Sequence, residues 1–417
     1  MADDRCPRWV EELTRVTFRK TYPWLLMSAA SLQRPKRLRK GALSLCMIVK
    51  NEADNLEKCL SLARPHVEEI VIVDTGSTDG TQEIAQRYAD VYDEIEWPNS
   101  FSIARNYSFD HASCEFILIL DGDEHIPDPL HWRRIRKCLR QRNLAAAQLP
   151  VRNLLREDQI VAADRMWQER IVRNHPQIRY FGRVHNQIQD SIAKHIQHTG
   201  RVLKRVQAEV IHTGYALSAE RMKEKYQPRL HLLLAEYEQP RSAKLRAYYG
   251  YQLGVAYYIL KELENAAKVF DTIDYSQLIP QNAFYTRVLA AQTAIALRNT
   301  PVALVHCNEM LTLDQSEPIA YYTTGLALLL NGQIGDGMLM LLEAFNLNDQ
   351  DRTSIRFLMN PLQLLNILAR VCTRSGLQKH GTAFQKLYEK RDFNPKLVRE
   401  LVSSLKTGIV LSEANAA

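Results

Sequence analysis

No run of about 18 consecutive apolar residues occurs in this sequence, so an ordinary membrane-spanning helix is excluded. The first residues carry two acids and an early proline, where a leader would place an apolar stretch ending in small residues. That pattern predicts no signal peptide. Seven cysteines are present (Cys6, Cys46, Cys59, Cys114, Cys138, Cys307 and Cys372), but no two are close enough to form a CxxC pair. The odd count and wide spacing exclude a zinc ribbon or disulfide framework and predict reduced thiols in a cytoplasmic protein. No glycine-rich phosphate loop follows the first apolar strand, where "CMIVKNEADN" stands instead. Its absence argues against a nucleotidyltransferase.

A length of 417 residues predicts two or three domains. The hydrophobic share of 46% and charged share of 24% place the chain among ordinary globular proteins. The net charge of +7 is uneven, with five bases in "RPKRLRK", Arg34 to Lys40. One reading is a solvated linker ahead of the first strand. The other is peripheral contact of residues Trp9 to Lys40, which include "YPWLLM", with an anionic membrane surface. Nucleic acid is not expected as a partner, because no recognised motif accompanies the charge.

From Leu43 short apolar runs alternate with amphipathic segments. "LSLCMIV", "EEIVIVD" and "EFILILD" read as strands buried on both faces. "NEADNLEKCLSLA" reads as a helix burying Leu56, Cys59, Leu60 and Ala63, and "TQEIAQRYA" as a second. This order predicts a mostly parallel sheet covered by helices, with ligands beyond the carboxyl ends of its strands. Asp74 and Asp121 close two of those strands and therefore belong on one rim.

Beyond about Glu220 the strand signal disappears. "LGVAYYILKELENAAKVF" places Leu253, Gly254, Tyr257, Ala266 and Phe270 at the spacing of a tetratricopeptide helix pair. Small residues recur at Ala291 and Gly325, 37 and 34 positions on, and "AFQKLYEKRDFNP" is a candidate fourth unit. Tyr248, Tyr249, Tyr251, Tyr257 and Tyr258 crowd the first unit. Some must pack between helices, and the rest are expected on a concave surface suited to a peptide or protein.

"FILILDGDEH" runs a strand into Asp121, Asp123 and Glu124, three acids that repel one another without a positive partner. A divalent cation, Mn2+ or Mg2+, satisfies such carboxylates and uses phosphate oxygens as further ligands. A plain helix cap fits Asp128, ahead of "LHWRRIRKCL", better than it fits Asp121.

"SLCMIVKNE", "IVIVDTGSTDGT", "FSIARN" and "ILILDGDE" follow one another in order. As an ordered set they resemble the family 2 glycosyltransferases with a GT-A fold. The closer likeness is to the branch carrying tetratricopeptide repeats, which includes peptide S-glycosyltransferases. The resemblance covers Leu43 to Tyr215 well and the repeats loosely. It implies that Asp74 contacts the nucleotide base or ribose, although Thr75 stands where many members have a second Asp. It implies that Lys50, Asn51 and Glu52 line the nucleotide pocket. Ser77 or Asp79 is read as a helix N-cap. Arg105 is a candidate diphosphate or sugar contact, and Asp121 and Asp123 match the metal-binding acids. A third metal ligand is sought downstream, with His212 first and His185 second. Asn186 stands where relatives are expected to have Glu, which bears on the catalytic base. The candidates left for that role are Glu169 first, then Glu124 and Asp164, with a salt bridge to Arg165, Arg170 or Arg173 as the alternative fate of Glu169.

The expected architecture is a basic extension over 1–40, an α/β GT-A domain over 41–219 and an all-α tetratricopeptide-like domain over 220–417. The expected function is metal-dependent, inverting transfer of a sugar from a nucleotide diphosphate sugar, UDP-linked by the resemblance, to an unknown acceptor, peptide or protein among the choices. The alternative is a degenerate transferase domain carrying a binding scaffold. Sugar, acceptor and oligomeric state are not readable.

Overall fold

The computed structural model describes residues 38–405 apart from 156–160, 185–186, 215–218, 241, 349–356, 392–396 and 398–399. The chain divides into two compact units. The first runs to Val151 and resumes over Trp167–His212; the second comprises Arg152–Met166 and everything from Thr213 onward. His185 and Asn186 lie outside the described residues, as does almost all of the 1–40 extension.

In the first unit, β1 (Arg39–Val49) lies between β2 (Glu69–Asp74) and β4 (Cys114–Ile119), with β3 (Val91–Glu94) beyond β2. These four strands are parallel. Every residue of β2 is buried, which explains its unbroken apolar run. One sheet face packs Leu43, Leu45, Met47, Ile70 and Ile72 against α1 (Ala53–Ala63) and α4 (Pro129–Leu139). The expected set Leu56, Cys59, Leu60 and Ala63 is the buried face of α1. The other sheet face packs Cys46, Val71, Ile117 and Ile119 against α3 (Phe101–His111) and α5 (Gln189–Thr199).

The sheet is mixed rather than mostly parallel. β6 (Leu144–Leu154) and β7 (Val161–Arg173) are neighbouring strands, and β7 runs antiparallel to β4. β5 (Glu124–His125) pairs antiparallel with β9 (Val210–His212). β8 (Val202–Arg205) lies beside β6. Asp128 caps α4 by accepting from Leu130 N–H at 2.7 Å, as expected. The N-cap of α2 (Thr81–Tyr88) is Gly80, neither Ser77 nor Asp79. Asp79 instead accepts from Thr81 N–H, and Ser77 Oγ from Asn51 N–H.

The second unit opens with α6 (Ala219–Glu238) and continues as four helical hairpins. They are α7 (Ala243–Ile259) with α8 (Leu263–Asp271), α9 (Pro280–Ala296) with α10 (Thr300–Leu313), α11 (Pro318–Leu330) with α12 (Ile334–Leu347), and α13 (Pro361–Arg374) with α14 (Gln378–Lys390). A Cβ on Gly254 would stand 2.2 Å from Phe270 Cε1, and one on Gly325 would stand 2.8 Å from the Gly337 carbonyl. The small positions therefore lie where paired helices touch. Tyr249 and Tyr251 are buried in this core. Tyr248, Tyr257 and Tyr258 are half-buried against the same cluster, with Tyr258 hydroxyl donating to Gln292 at 3.1 Å. Tyr249 and Tyr251 are thus the expected packing members of the cluster, while Tyr248, Tyr257 and Tyr258 keep part of their surface.

The unit is not all-α. β10 (Phe357–Met359) pairs antiparallel with Val161, Ala163 and Asp164 of β7. That pairing, with Leu358 packed on Leu154, assigns residues 152–166 to the second unit instead of placing a single cut near 219. Among the described residues no helix is long and apolar enough to cross a membrane. Cys46, Cys59, Cys114, Cys138, Cys307 and Cys372 are buried and not joined in disulfides.

Candidate active site

The parallel register fixes the rim. Val49 of β1 faces Asp74, the last residue of β2, and Cys46 faces Ile119, two residues before Asp121. Asp74 and Asp121 therefore flank the carboxyl end of β1.

Asp74 is fully buried. Its Oδ1 accepts from Gly76 N–H at 2.8 Å and Ser77 N–H at 2.7 Å, which folds the loop back over the strand end. Its Oδ2 has no partner among the described residues. An unmet buried acceptor costs about 1–3 kcal/mol, so it marks a place where a ligand donor would be stabilised.

The loop after β1 is tied to the loop after β2. Asn51 has φ +53° and accepts at Oδ1 from Thr78 N–H at 2.8 Å. Glu52 N–H donates to Thr81 Oγ1 at 2.8 Å. Lys50 is exposed beside them. A Cβ on Gly122 would lie 2.8 Å from Glu52 Cγ, so only glycine lets the acidic turn approach this loop so closely.

Each acid of the turn has its own basic partner. Arg105, from α3, donates to Asp121 Oδ1 at 2.5 Å. Burial opposes ionisation of Asp121, but Arg105 and Arg170 outweigh it and hold the carboxyl well below its usual range. Asp123 Oδ2 meets His212 Nε2 at 3.2 Å. Burial alone would lower the His212 imidazole, yet Asp123, Glu124 and Asp121 together raise it. Glu124 is paired with Arg170 inside the unit. Burial raises Glu124, and Arg170 only partly offsets this.

Glu124 is therefore an enclosed ion-pair member, which corrects its place among the candidate bases. Asp164 belongs to the second unit and accepts from Asn153 Nδ2. Among the described residues Glu169 makes none of the suggested arginine pairs. Its Oε1 accepts from Gln148 Nε2 at 2.8 Å and its Oε2 from Gln189 Nε2 at 2.9 Å. It lies near enough to Tyr180 to act on that phenol, as do Arg105, Arg170 and Asp121. Arg105 lies over the Tyr180 ring at 5.6 Å. Arg170 and Tyr180 were not singled out as site residues. β7 also carries Asp164, Arg165, Glu169 and Arg173, so no local signal marked Arg170, and none marked Tyr180.

Among the described residues no three His, Cys, Asp or Glu side chains converge on one point. Two do so as a pair. Ligands about 2.1 Å from an octahedral ion lie about 3 Å from each other when adjacent. The 3.2 Å between Asp123 and His212 fits that spacing, and a carboxylate with an imidazole is a donor set that divalent ions accept. Asp121 lies on the same turn, with its Oδ1 accepting from Arg105.

Residues 44–205 match the family model for glycosyl transferase family 2. Over these residues the chain is similar to that family. A TPR repeat-containing protein of Synechococcus elongatus is 34% identical over 150 residues, covering 36% of this chain and 36% of that protein. The glycosyltransferase SunS of Bacillus subtilis is 38% identical over 79 residues, covering 18% of this chain and 19% of SunS. The chain thus spans about a third or less of the length of these curated relatives. Among solved structures, the mannosyltransferase PcManGT from Pyrobaculum calidifontis, in complex with GDP-Man and Mn2+, matches 78% of this chain and 97% of its own. Its identity is 16% and its TM-score 0.36. The matched residues fall in the first unit and the 152–166 segment, and the helical hairpins follow them in the chain.

Proposed function

We propose that the protein is an inverting glycosyltransferase that moves a hexose or N-acetylhexosamine from a UDP-linked donor to a peptide or protein. The observation that carries this reading is the meeting of Asp123 and His212 at the strand-end rim of a family 2 glycosyltransferase domain. These two side chains, with Asp121 on the same turn, would hold Mn2+ or Mg2+. The bound ion would supply positive charge to the leaving diphosphate.

The rest of the chemistry belongs to the chain. Asp74 Oδ2 is free to accept from a base or ribose donor. Lys50 and the loop through Asn51 and Glu52 border the same rim. Arg105 brings a buried guanidinium whose Nε has no partner among the described residues, suited to an anionic diphosphate. Glu169, held by two amides rather than a cation, keeps a carboxylate able to take a proton from the acceptor as the bond to the sugar forms. The helical hairpins of the second unit would bind the acceptor chain.

The test is a panel of nucleotide sugars added to the full-length protein, with and without Mn2+, read by thermal shift and by release of free UDP. Mn2+-dependent stabilisation by UDP compounds is expected. If no nucleotide sugar stabilises the protein in either condition, the scaffold reading replaces this one.

A further inference from the structure

Asp121, Gly122, Asp123 and Glu124 form a turn closed twice by the same residue. Glu124 N–H donates to the Asp121 carbonyl at 3.0 Å. Glu124 Oε2 accepts in return from Asp121 N–H at 2.9 Å. Its other oxygen is taken by Arg170, whose side chain is 8% exposed against 1% for Glu124. Arg170 lies on β7 and Glu124 on β5, which is paired with β9 at the Glu124–His212 position. The guanidinium thus reaches from one strand to the turn between two others, and Glu124 sits between the carboxylates and the strand that carries His212.

We infer that Arg170 and Glu124 are positioning residues: their ion pair clasps the turn so that Asp121 and Asp123 are presented in a fixed geometry to a divalent cation. The pair is too enclosed to touch a substrate. Removing only one partner would leave a lone buried charge and endanger the fold. A purely stabilising pair would be replaceable by uncharged side chains of similar size without effect on the turn. A clasp would not, because Gln in place of Glu124 has no arginine to fix its orientation. Where the inference concerns the cation, it rests on the metal-dependent reading above.

The experiment compares the full-length wild type with the double variant Glu124→Gln/Arg170→Met, which removes both charges together. Amide hydrogen exchange over residues 118–125 is measured without added metal. Mn2+ binding is measured separately by the loss of the free Mn2+ resonance signal. The expected result is exchange at least tenfold faster in this segment and Mn2+ bound at least tenfold more weakly, with the melting temperature within a few degrees of the wild type. Wild-type exchange rates in the double variant overturn the clasp. A double variant that does not fold also overturns it, because the pair is then a stability element rather than a positioning one. If the wild type binds no Mn2+, the metal-dependent reading fails, while the exchange result still decides whether the pair holds the turn.

Discussion

Asp123 Oδ2 lies 3.2 Å from His212 Nε2, although 89 positions separate the two residues. The short antiparallel pairing of β5 with β9 brings them together, Glu124 standing opposite His212 in register. Each side chain is nearly enclosed, at 8% and 12% exposure, so each has lost water that the other or an ion must replace.

Substitution of His212 by Ala is therefore expected to weaken Mn2+ binding by at least about tenfold, on the scale of losses around metal sites. It should also lower stability by about 1 kcal/mol, because Asp123 loses its contact with the imidazole. Thermal shift with UDP, with and without Mn2+, checks both effects. Mn2+-dependent stabilisation equal to wild type would remove His212 from the ligand set, and the same result for Asp123→Ala would remove the metal site altogether.

For Asp74 the informative change is Asp74→Asn. It keeps an oxygen for the Gly76 and Ser77 amides and places an NH2 group where the unpartnered oxygen stood. UDP affinity should fall about tenfold, the equivalent of about 1.4 kcal/mol, with the melting temperature unchanged. Calorimetry in EDTA isolates this contact from the metal. An unaltered affinity makes Asp74 a turn residue only.

Acid sensitivity is expected from His195. Burial, the His175 ring beside it, and Arg201, Arg173 and His198 push its imidazole down to about 4. The ring is 2% exposed, and neither nitrogen has a partner among the described residues. Unfolded histidine titrates near about 6.5, so between these values the unfolded state binds more protons. The contribution is complete above about pH 6.5 and is lost as pH falls towards 4. His195→Leu should flatten the decline in urea stability between pH 7 and pH 5 by about 1–2 kcal/mol. Equal declines in both proteins would show that another group is responsible.

Gly254→Ala should destabilise the helical unit by about 1–3 kcal/mol, since its methyl would overlap the Phe270 ring. Trimming that ring in Gly254→Ala/Phe270→Leu should recover part of the loss. Chemical denaturation of Gly254→Ala, Phe270→Leu and the double variant tests the contact, and additive losses would place the clash elsewhere.

A chain ending at residue 219 loses β10, leaving Val161, Ala163 and Asp164 without their antiparallel partner. An exposed strand edge of this kind promotes pairing between chains. Light scattering should show self-association that the full chain lacks. A monodisperse truncated protein would mean that β10 contributes little to covering that edge.

Much of the fold was legible because it depends on local chemistry. Buried parallel strands need continuous apolar runs, so β1, β2 and β4 could be read, as could the amphipathic face of α1. Small residues at repeated spacing announced the helical hairpins, because close helix crossings exclude larger side chains. β10 was not legible: three apolar residues among helices carry no period. The placement of residues 152–166 was hidden for the same reason, since it depends on β10. The tyrosine cluster could not be divided residue by residue beforehand, because aromatic side chains serve packing and binding equally well, and only burial distinguishes the two.

The sequence by itself determined which residues would stand at the carboxyl ends of the parallel strands, since strand direction and side-chain alternation follow from local pattern. Asp74 and Asp121 were identified on those grounds, and Asp123 from the crowding of acids beside Asp121 and from the family resemblance. Tertiary structure alone decided how the charges are shared. Arg105 comes from a helix, Arg170 from an antiparallel strand and His212 from another, and each reaches a different acid of one turn. Electrostatic pairing acts over a few ångströms in space whatever the separation along the chain, so no spacing rule could have assigned those partners.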